Sequence, residues 1–298
     1  MKFLRKYKKT SILLLVILLL IAALLISSQS LEDDAYFAPV DEKADLTYLA
    51  DKERLTDEDY RLIFRQTGLG KSAVDKIFAD LEEPVVQLLT YQEDYYGEPN
   101  IQCQGLNVDL QASYWVTGEE HFIDKDGDVI DGFKIADLQD GDILLTKSTH
   151  TLFWRHGHGG LITDSKKEIV MEAPMIGYSA ALYKAKHWQT YPTYIQLRLK
   201  DADIERRAEI AAWAKNNLMG LIWQPYAGLP NKYDEKNLKV TQCSLFIWQA
   251  FYHFGYDSDI GGWFVSPQDI ANSSLFEVVQ IFGVDPDDLW SGFNLGVL

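Results

Sequence analysis

Two short stretches constrain the fold of this chain most: HGHGGLITD at 156–164 and TQCSLFIWQAF at 241–251. The first places His158 just before a strand-like run, and the second places Cys243 at the start of an amphipathic helix. A helix N-terminus and a neighbouring imidazolium both favour the reactive thiolate over the thiol. The pattern therefore predicts a helix start packed beside a strand, with the parts of a cysteine hydrolase.

A carboxylate on the next strand completes this set. If 158–163 and 167–173 form an antiparallel hairpin around a three-residue loop, Glu172 lies opposite His158 on the same face of the sheet. A carboxylate in that position orients the imidazole and stabilises its charged form. The catalytic residues predicted are Cys243 as nucleophile, His158 as base and then acid, and Glu172 as the orienting group. Backbone N–H groups at the start of the helix would help to hold the oxyanion.

Other roles are open to the same residue types. His156 and His158 share a strand face and could bind a metal with His150, but no coordinating cysteine or further well-spaced ligand accompanies them. The sequence therefore predicts no metal and no cofactor. Cys243 could instead be an inert buried thiol, or it could form a disulfide with Cys103, the other cysteine of the chain.

The N-terminus has the layout of an export signal. Five basic residues precede an unbroken apolar run from Ile12 to Ile26, and the first acidic residue is Glu32. The run is long for a signal peptide and short for a spanning helix, so residues 1–30 are either a cleaved signal peptide, with Ser28 and Ser30 at its cleavage site, or a membrane anchor. Both options predict that residues 31–298 are extracellular.

The charge of the exported part excludes one class of partner. Without the five N-terminal basic residues, 23 Lys and Arg stand against 44 Asp and Glu, a formal net charge of −21. Such a surface repels phosphate backbones and anionic lipid headgroups. We expect no nucleic-acid partner and no membrane contact beyond the N-terminal segment.

The order of elements indicates an α+β protein. Residues 31–133 comprise an acidic tether over 31–44, a small helical region from about 45 to 92 and a hairpin turned at Asp126-Gly127. Thr56 is the expected N-cap of the first of these helices. Residues 134–298 form the second region, with short strands in GDILLTK, GGLITD, KEIVMEA and YIQLRL, then a helix over 202–219 and the cysteine helix.

The set GDILLTK (141–147), GHGGLI (157–162), VMEAP (170–174) and QCSLFIWQAF (242–251) resembles the permuted NlpC-type cysteine hydrolases, the YiiX/YebB-like branch of the papain-like superfamily. SPQDIANS at 266–273 is similar to the closing segment of that family. Histidine precedes cysteine here, the reverse of the papain order, in keeping with a circular permutation. The resemblance covers roughly residues 134–280.

The resemblance implies an antiparallel half-barrel sheet packed on the cysteine helix and a Cys-His-polar triad. It assigns Cys243, His158 and Glu172 to the roles given above. It also implies a peptidase or amidase acting on amide bonds in peptidoglycan peptides. Two alternatives stay open: an acyl hydrolase or acyltransferase acting on lipids, and a non-catalytic peptide-binding module of the same fold. The oligomeric state is not predicted.

Overall fold

The computed structural model describes residues 13–20, 36–105, 117–151, 155–224, 226–227, 232, 238–262 and 264–291. Residues 13–20, inside the predicted apolar run, are helical. Within the described residues, no helix is both long enough and apolar enough to cross a membrane. The rest of the run and the predicted cleavage site at Ser28 and Ser30 lie outside the described residues.

A six-stranded antiparallel sheet forms the centre of the molecule, with the strand order β11-β8-β3-β5-β6-β7. Its strands are β3 (Ile143–Thr146), β5 (His158–Asp164), β6 (Ile169–Glu172), β7 (Ala181–Lys184), β8 (Tyr194–Leu199) and β11 (Phe276–Phe282). The four strand runs expected from the sequence supply β3, β5, β6 and β8. Strands β3 and β8 are buried along their whole length. The sequence of β3 is almost entirely apolar, whereas β8 also carries Gln196 and Arg198, which are buried because they bond Asp142.

Two helices cover one face of this sheet. They are α4 (Ile204–Asn217) and α5 (Cys243–His253), and both pack on β5. All residues of α5 from Cys243 to Phe251 are buried, so this helix is apolar around its circumference rather than amphipathic. A short helix, α6 (Pro267–Ala271), follows and begins with a capping box between Ser266 and Asp269.

Three further helices precede the sheet: α1 (Asp57–Thr67), α2 (Lys71–Asp80) and α3 (Pro84–Tyr95). Thr56 caps α1 as expected, because its hydroxyl accepts from the Asp59 amide while the Asp59 carboxylate accepts from the Thr56 amide. Gly68 ends α1 with a φ of 70°. The α1–α2 turn then joins the edge of the sheet, where the Gly70 amide donates to the Val279 carbonyl at 2.8 Å.

Residues 36–44 differ from the tether expected there. The Phe37 amide donates to the Gly283 carbonyl at 3.0 Å, and Gln66 on α1 bonds both the Glu42 carbonyl and the Ala44 amide. The acidic composition suggested a solvated segment. These backbone groups instead find partners on the folded body, which holds the segment against it.

A second, three-stranded antiparallel sheet was not expected from the sequence. Its order is β1-β2-β4, formed by β1 (Ile101–Gly105), β2 (Thr117–Phe122) and β4 (Thr149–Thr151). It joins the two sequence regions, since β1 and β2 lie before residue 134 and β4 lies after it. The expected hairpin follows β2: Ile123 bridges to Val129, and the Gly127 amide donates to the Asp124 carbonyl.

The remaining described strands, β9 (Ile222–Trp223) and β10 (Val240–Thr241), pair in parallel just ahead of the cysteine helix. Short 3-10 helices occupy Thr47–Asp51, Ser165–Lys167 and Ala185–Thr190. The described architecture is thus a mixed α+β fold with two antiparallel sheets and helices packed on the larger one.

Candidate active site

Cys243 is the first residue of α5, and its side chain faces the sheet. Gln242 before it has an extended backbone (φ −140°, ψ 167°), so the helix starts abruptly at the cysteine. The first N–H groups of a helix have no partner within it and carry its partial positive charge. The position of Cys243 therefore favours a thiolate.

His158 is the first residue of β5, the strand on which α5 packs. The glycine after it permits this close packing: a Cβ at Gly159 would lie 3.0 Å from Ile247 Cδ1 on α5 and 3.1 Å from Leu145 Cδ2 on β3. A larger residue at this position would force the ends of these two side chains to shift by a few tenths of an ångström. Gly159 thereby permits the close packing of α5 on β5 that brings the thiol near the imidazole.

Glu172, the last residue of β6, lies beside His158, although the register differs from the expected one. Gly160, not His158, pairs directly with Glu172, a shift of two residues. An even shift keeps both side chains on the same face, and His158 then reaches Glu172 diagonally. His158 Nε2 donates to Glu172 Oε2 at 2.9 Å, and both side chains are buried.

The second glycine, Gly160, leaves space for the diagonal contact between His158 and Glu172. A Cβ there would lie 2.6 Å from Val170 Cγ2 and 3.1 Å from both Glu172 Cγ and the Trp188 ring. The two adjacent glycines after His158 therefore leave space for different neighbours. Gly159 makes room for the cysteine helix, and Gly160 makes room for the Glu172 side chain.

Two residues that the sequence did not indicate complete the surroundings of Glu172. Trp188 Nε1 donates to Glu172 Oε1 at 3.1 Å, and the indole stacks on the His158 ring with 5.6 Å between ring centroids and 14° between planes. His187 Nε2 lies 3.2 Å from the same oxygen, while its Nδ1 donates to the Lys184 carbonyl. Both belong to the 3-10 helix Ala185–Thr190, and no local pattern links that helix to β6.

His158 is hydrogen-bonded to Cys243 as well as to Glu172. Because Nε2 is engaged by the carboxylate, the other ring nitrogen, Nδ1, is left for the thiol. The imidazole thus connects the sulfur to the carboxylate through separate nitrogens, the arrangement that a nucleophile, a base and an orienting group require.

The electrostatics of the three residues favour an ion pair. Burial raises the pKa of the Cys243 thiol, but the hydrogen bond and charge of His158, with the Ser244 and Gly159 amides, outweigh it and lower that pKa. Burial lowers the pKa of His158, and its contacts with Cys243 and Glu172 more than reverse this. Burial likewise raises the pKa of Glu172, while His158 and His187 bring it below its usual value. All three shifts favour the form with a thiolate, an imidazolium and a carboxylate.

His156, the other histidine of the HGHGG stretch, has different partners. Its Nδ1 donates to the Gly157 carbonyl at 2.8 Å, which leaves Nε2 to accept from the Thr151 hydroxyl at 3.0 Å. Burial lowers the pKa of His156 to about 4, so the ring is neutral at pH 7. His150, considered with it as a metal ligand, instead lies with Cys103 and Glu120. Cys103 and Cys243 do not form a disulfide with each other.

By sequence, the chain matches no family profile and no curated protein. Among solved structures, it is similar to the metalloprotein yiiX from Escherichia coli O157:H7, at 16% identity and a TM-score of 0.37. The match covers 48% of this chain and 97% of that one. This likeness is too weak to carry an argument about activity, and the case for function comes from the site itself.

Proposed function

We propose that the protein is a cysteine hydrolase, a peptidase or amidase, with Cys243 as nucleophile, His158 as base and acid, and Glu172 as the orienting carboxylate. The observation that carries the proposal is the imidazole of His158, which bonds the Glu172 carboxylate through Nε2 and is also a hydrogen-bond partner of the Cys243 thiol. A buried thiolate at a helix start beside an imidazolium has no structural purpose that a simple apolar residue would not serve better.

The reaction would proceed in two steps. The Cys243 thiolate attacks the carbonyl carbon of the amide, and the His158 imidazolium gives its proton to the departing amine as the C–N bond breaks. Water then attacks the resulting thioester while His158 takes one of its protons. Cleavage of the C–S bond releases the carboxylic acid and restores the thiolate–imidazolium pair. The Cys243 amide at the start of α5 is placed to stabilise the oxyanion in both steps.

The fold proposed for residues 134–298 is the permuted papain-like one. Three features support it: the antiparallel sheet, the packing of the cysteine helix on the strand that carries His158, and the order of histidine before cysteine. In this arrangement Glu172 takes the place of the polar third member of the triad.

The substrate class proposed is the peptide part of peptidoglycan. A basic stretch ahead of an apolar run supports export or anchoring at the membrane, which would place the site outside the cell, beside the wall. The acidic chain suits a peptide substrate with amino groups better than a phosphate-rich polymer.

The experiment is hydrolysis of purified peptidoglycan peptides by the full chain, followed by mass spectrometry of the products. We expect new amine and carboxyl ends with the wild type, none with Cys243→Ala, and a strong loss with His158→Gln. His253→Gln is the matched control, because His253 lies exposed in the last turn of α5 and stacks on Trp213, away from the thiol. It should keep the wild-type rate.

The same samples distinguish the alternatives. Turnover of acyl esters or thioesters without cleavage of any peptide would replace the peptidase proposal with an acyl hydrolase. Binding of the peptides with equal affinity by wild type and Cys243→Ala, and no turnover of either substrate class, would contradict the enzyme and favour a binding module.

A further inference from the structure

A second cluster of cysteine, histidine and carboxylate lies on the three-stranded sheet, outside the site described above. Cys103 on β1 pairs directly with Glu120 on β2, and His150 on β4 pairs with Gly118, two residues from Glu120. Direct and two-residue offsets keep side chains on one face of an antiparallel sheet. The strand register therefore brings all three to the same spot.

Two distances within this cluster match those between ligands around one metal ion. Cys103 Sγ lies 3.5 Å from His150 Nε2, and the same nitrogen lies 3.4 Å from Glu120 Oε1. All three ligand atoms lie within 4.8 Å of one another. Around a tetrahedral zinc with bonds of about 2.0–2.3 Å, neighbouring sulfur, nitrogen and oxygen ligands are about 3.3–3.6 Å apart.

The geometry also differs from that of a catalytic triad. At the Cys243 site, the imidazole uses separate nitrogens for the sulfur and the carboxylate. At this cluster, one nitrogen, His150 Nε2, faces both Cys103 Sγ and Glu120 Oε1. A single nitrogen cannot relay a proton between a thiol and a carboxylate through the ring. Three donor atoms that converge on one point are the arrangement of a coordination site.

Gly118 provides the space for this convergence. A Cβ at Gly118 would lie 2.5 Å from Cys103 Sγ and 3.0 Å from His150 Nε2. No side chain larger than hydrogen can occupy that position while the sulfur and the nitrogen keep their places. The sheet thus has a small hollow at the point where the two softer ligand atoms meet.

Arg155 holds the carboxylate in place. Its guanidinium donates to both oxygens of Glu120, NH1 to Oε2 at 2.9 Å and NH2 to Oε1 at 3.0 Å. A carboxylate oxygen has two lone pairs, so Oε1 can serve the arginine and a cation together. Groups that orient a ligand in this way are a regular part of metal sites. Once Cys103 has lost its proton to a bound ion, thiolate and carboxylate together outweigh the charge of Arg155 and make the ligand set anionic.

We propose that Cys103, Glu120 and His150 bind one divalent ion of the zinc class. A thiolate and an imidazole select such an ion over magnesium or calcium, which take oxygen ligands. Binding transfers the Cys103 thiol proton to solvent and forms three metal–ligand bonds. A fourth tetrahedral position, left to water or to an added ligand, faces away from these three side chains.

The test uses Co²⁺ and Zn²⁺ added singly to the full chain, purified with a reductant that does not bind metal. Cobalt bound to a thiolate gives a sulfur-to-metal charge-transfer band in the near ultraviolet. We expect one equivalent of Co²⁺ to produce that band and Zn²⁺ to abolish it by displacement. Zn²⁺ should also raise the unfolding temperature of the wild type, because it binds the folded state.

Variants assign the site. Cys103→Ser and His150→Gln should lose the band, and Gly118→Ala should weaken Zn²⁺ binding at least tenfold by filling the hollow. Cys243→Ser should keep both the band and the thermal shift. Absence of the band in the wild type, or its loss in Cys243→Ser but not in Cys103→Ser, would overturn the proposal. Thermal unfolding of each metal-free variant shows whether a lost signal reflects lost ligands or lost folding. A folded Cys103→Ser variant that still binds Co²⁺ through sulfur would also overturn the proposal.

Discussion

At the residue scale, Glu172 is the most informative member of the candidate active site. Its two oxygens contact the donor groups of three side chains, His158, His187 and Trp188, and the residue is 3% exposed. A buried carboxylate with this many charge-assisted partners stays ionised and holds the imidazole in one orientation. The chemistry proposed for Cys243 depends on that orientation.

Replacing Glu172 with Gln removes the charge and keeps the shape. The pKa of His158 should fall and that of Cys243 should rise, because each loses the stabilisation of its charged form. The active pH range, bounded below by thiol protonation and above by imidazolium deprotonation, should therefore narrow from both sides. We expect kcat/KM to drop by roughly 10²- to 10⁴-fold at neutral pH, measured as a pH–rate profile. An unchanged profile would show that Glu172 is only a packing residue.

The sequence identified the three residues of this site because each lies in a local pattern: a helix start, a strand start and a strand end. Their partners were missed. Trp188 and His187 reach Glu172 from a 3-10 helix beyond the next strand, and Cys103 meets His150 across 47 residues. Contacts between distant segments are set by the packing of whole elements, which local periodicity does not encode.

At the scale of elements, caps and strand ends were the more predictable features. Thr56 marks the start of α1 as the sequence indicated, and Gly68 ends it with a positive φ. The hairpin of β5 and β6 formed, yet its register moved by two residues because a bulge between Ile162 and Asp164 and the 3-10 turn Ser165–Lys167 replaced a simple loop. The predicted face for His158 was still correct, because a shift of two residues preserves the alternation of side chains along the strand, whereas the predicted turn was wrong.

Thr56→Ala tests the capping box of α1. Loss of the hydroxyl leaves the Asp59 amide without its partner and frees the Asp59 carboxylate from one of its contacts. We expect the free energy of unfolding to fall by about 1 kcal/mol, measured by denaturant titration with an unchanged slope. Thr56→Ser keeps the hydroxyl and should lie close to the wild type. Equal losses in both variants would mean that the methyl group, not the cap, matters.

At the scale of the whole molecule, the two sequence regions are joined by pairing across the small sheet. Strand β2 pairs with β4, and Glu119 on β2 accepts from the Thr149 and Tyr191 hydroxyls. The helices α1–α3 pack at the β11 edge of the large sheet. The sequence predicted separate regions before and after residue 134. The β1-β2-β4 sheet escaped notice because β4 has only three residues and its strands carry mixed polar side chains.

A buried ion pair fixes the large sheet at the end away from His158. Arg198 on β8 donates through Nε to Asp142 Oδ1 and through NH2 to Oδ2, each at 2.8 Å, and Gln196 donates to Oδ2. Asp142 is fully buried and Arg198 is 4% exposed. Asp137 Oδ2 also lies 3.2 Å from Arg198 NH2, so removal of the Asp142 charge leaves Arg198 buried with Asp137 as its remaining acidic partner.

Asp142→Asn should lower the free energy of unfolding by up to about 3 kcal/mol, because Asp137 still compensates part of the Arg198 charge. The matched control is Asp80→Asn, which breaks an exposed ion pair with Lys76 and should cost less than about 1 kcal/mol. Adding Arg198→Met to Asp142→Asn should recover part of the loss, because the buried guanidinium that lost its closest partner is then gone as well. Chemical denaturation of the four proteins measures these differences. A similar cost for both single variants would contradict the structural role given to the pair.

Titration of the Cys243 thiol by residue-resolved alkylation tests most directly whether Cys243 is an activated nucleophile. The full chain is treated with iodoacetamide across pH, and the label at Cys243 is quantified by mass spectrometry in the wild type and in His158→Gln. We expect an apparent pKa well below the free-thiol value of about 8.5 in the wild type and a return toward that value in the variant. A Cys243 that titrates at or above that value, or that is indifferent to His158, would contradict this expectation.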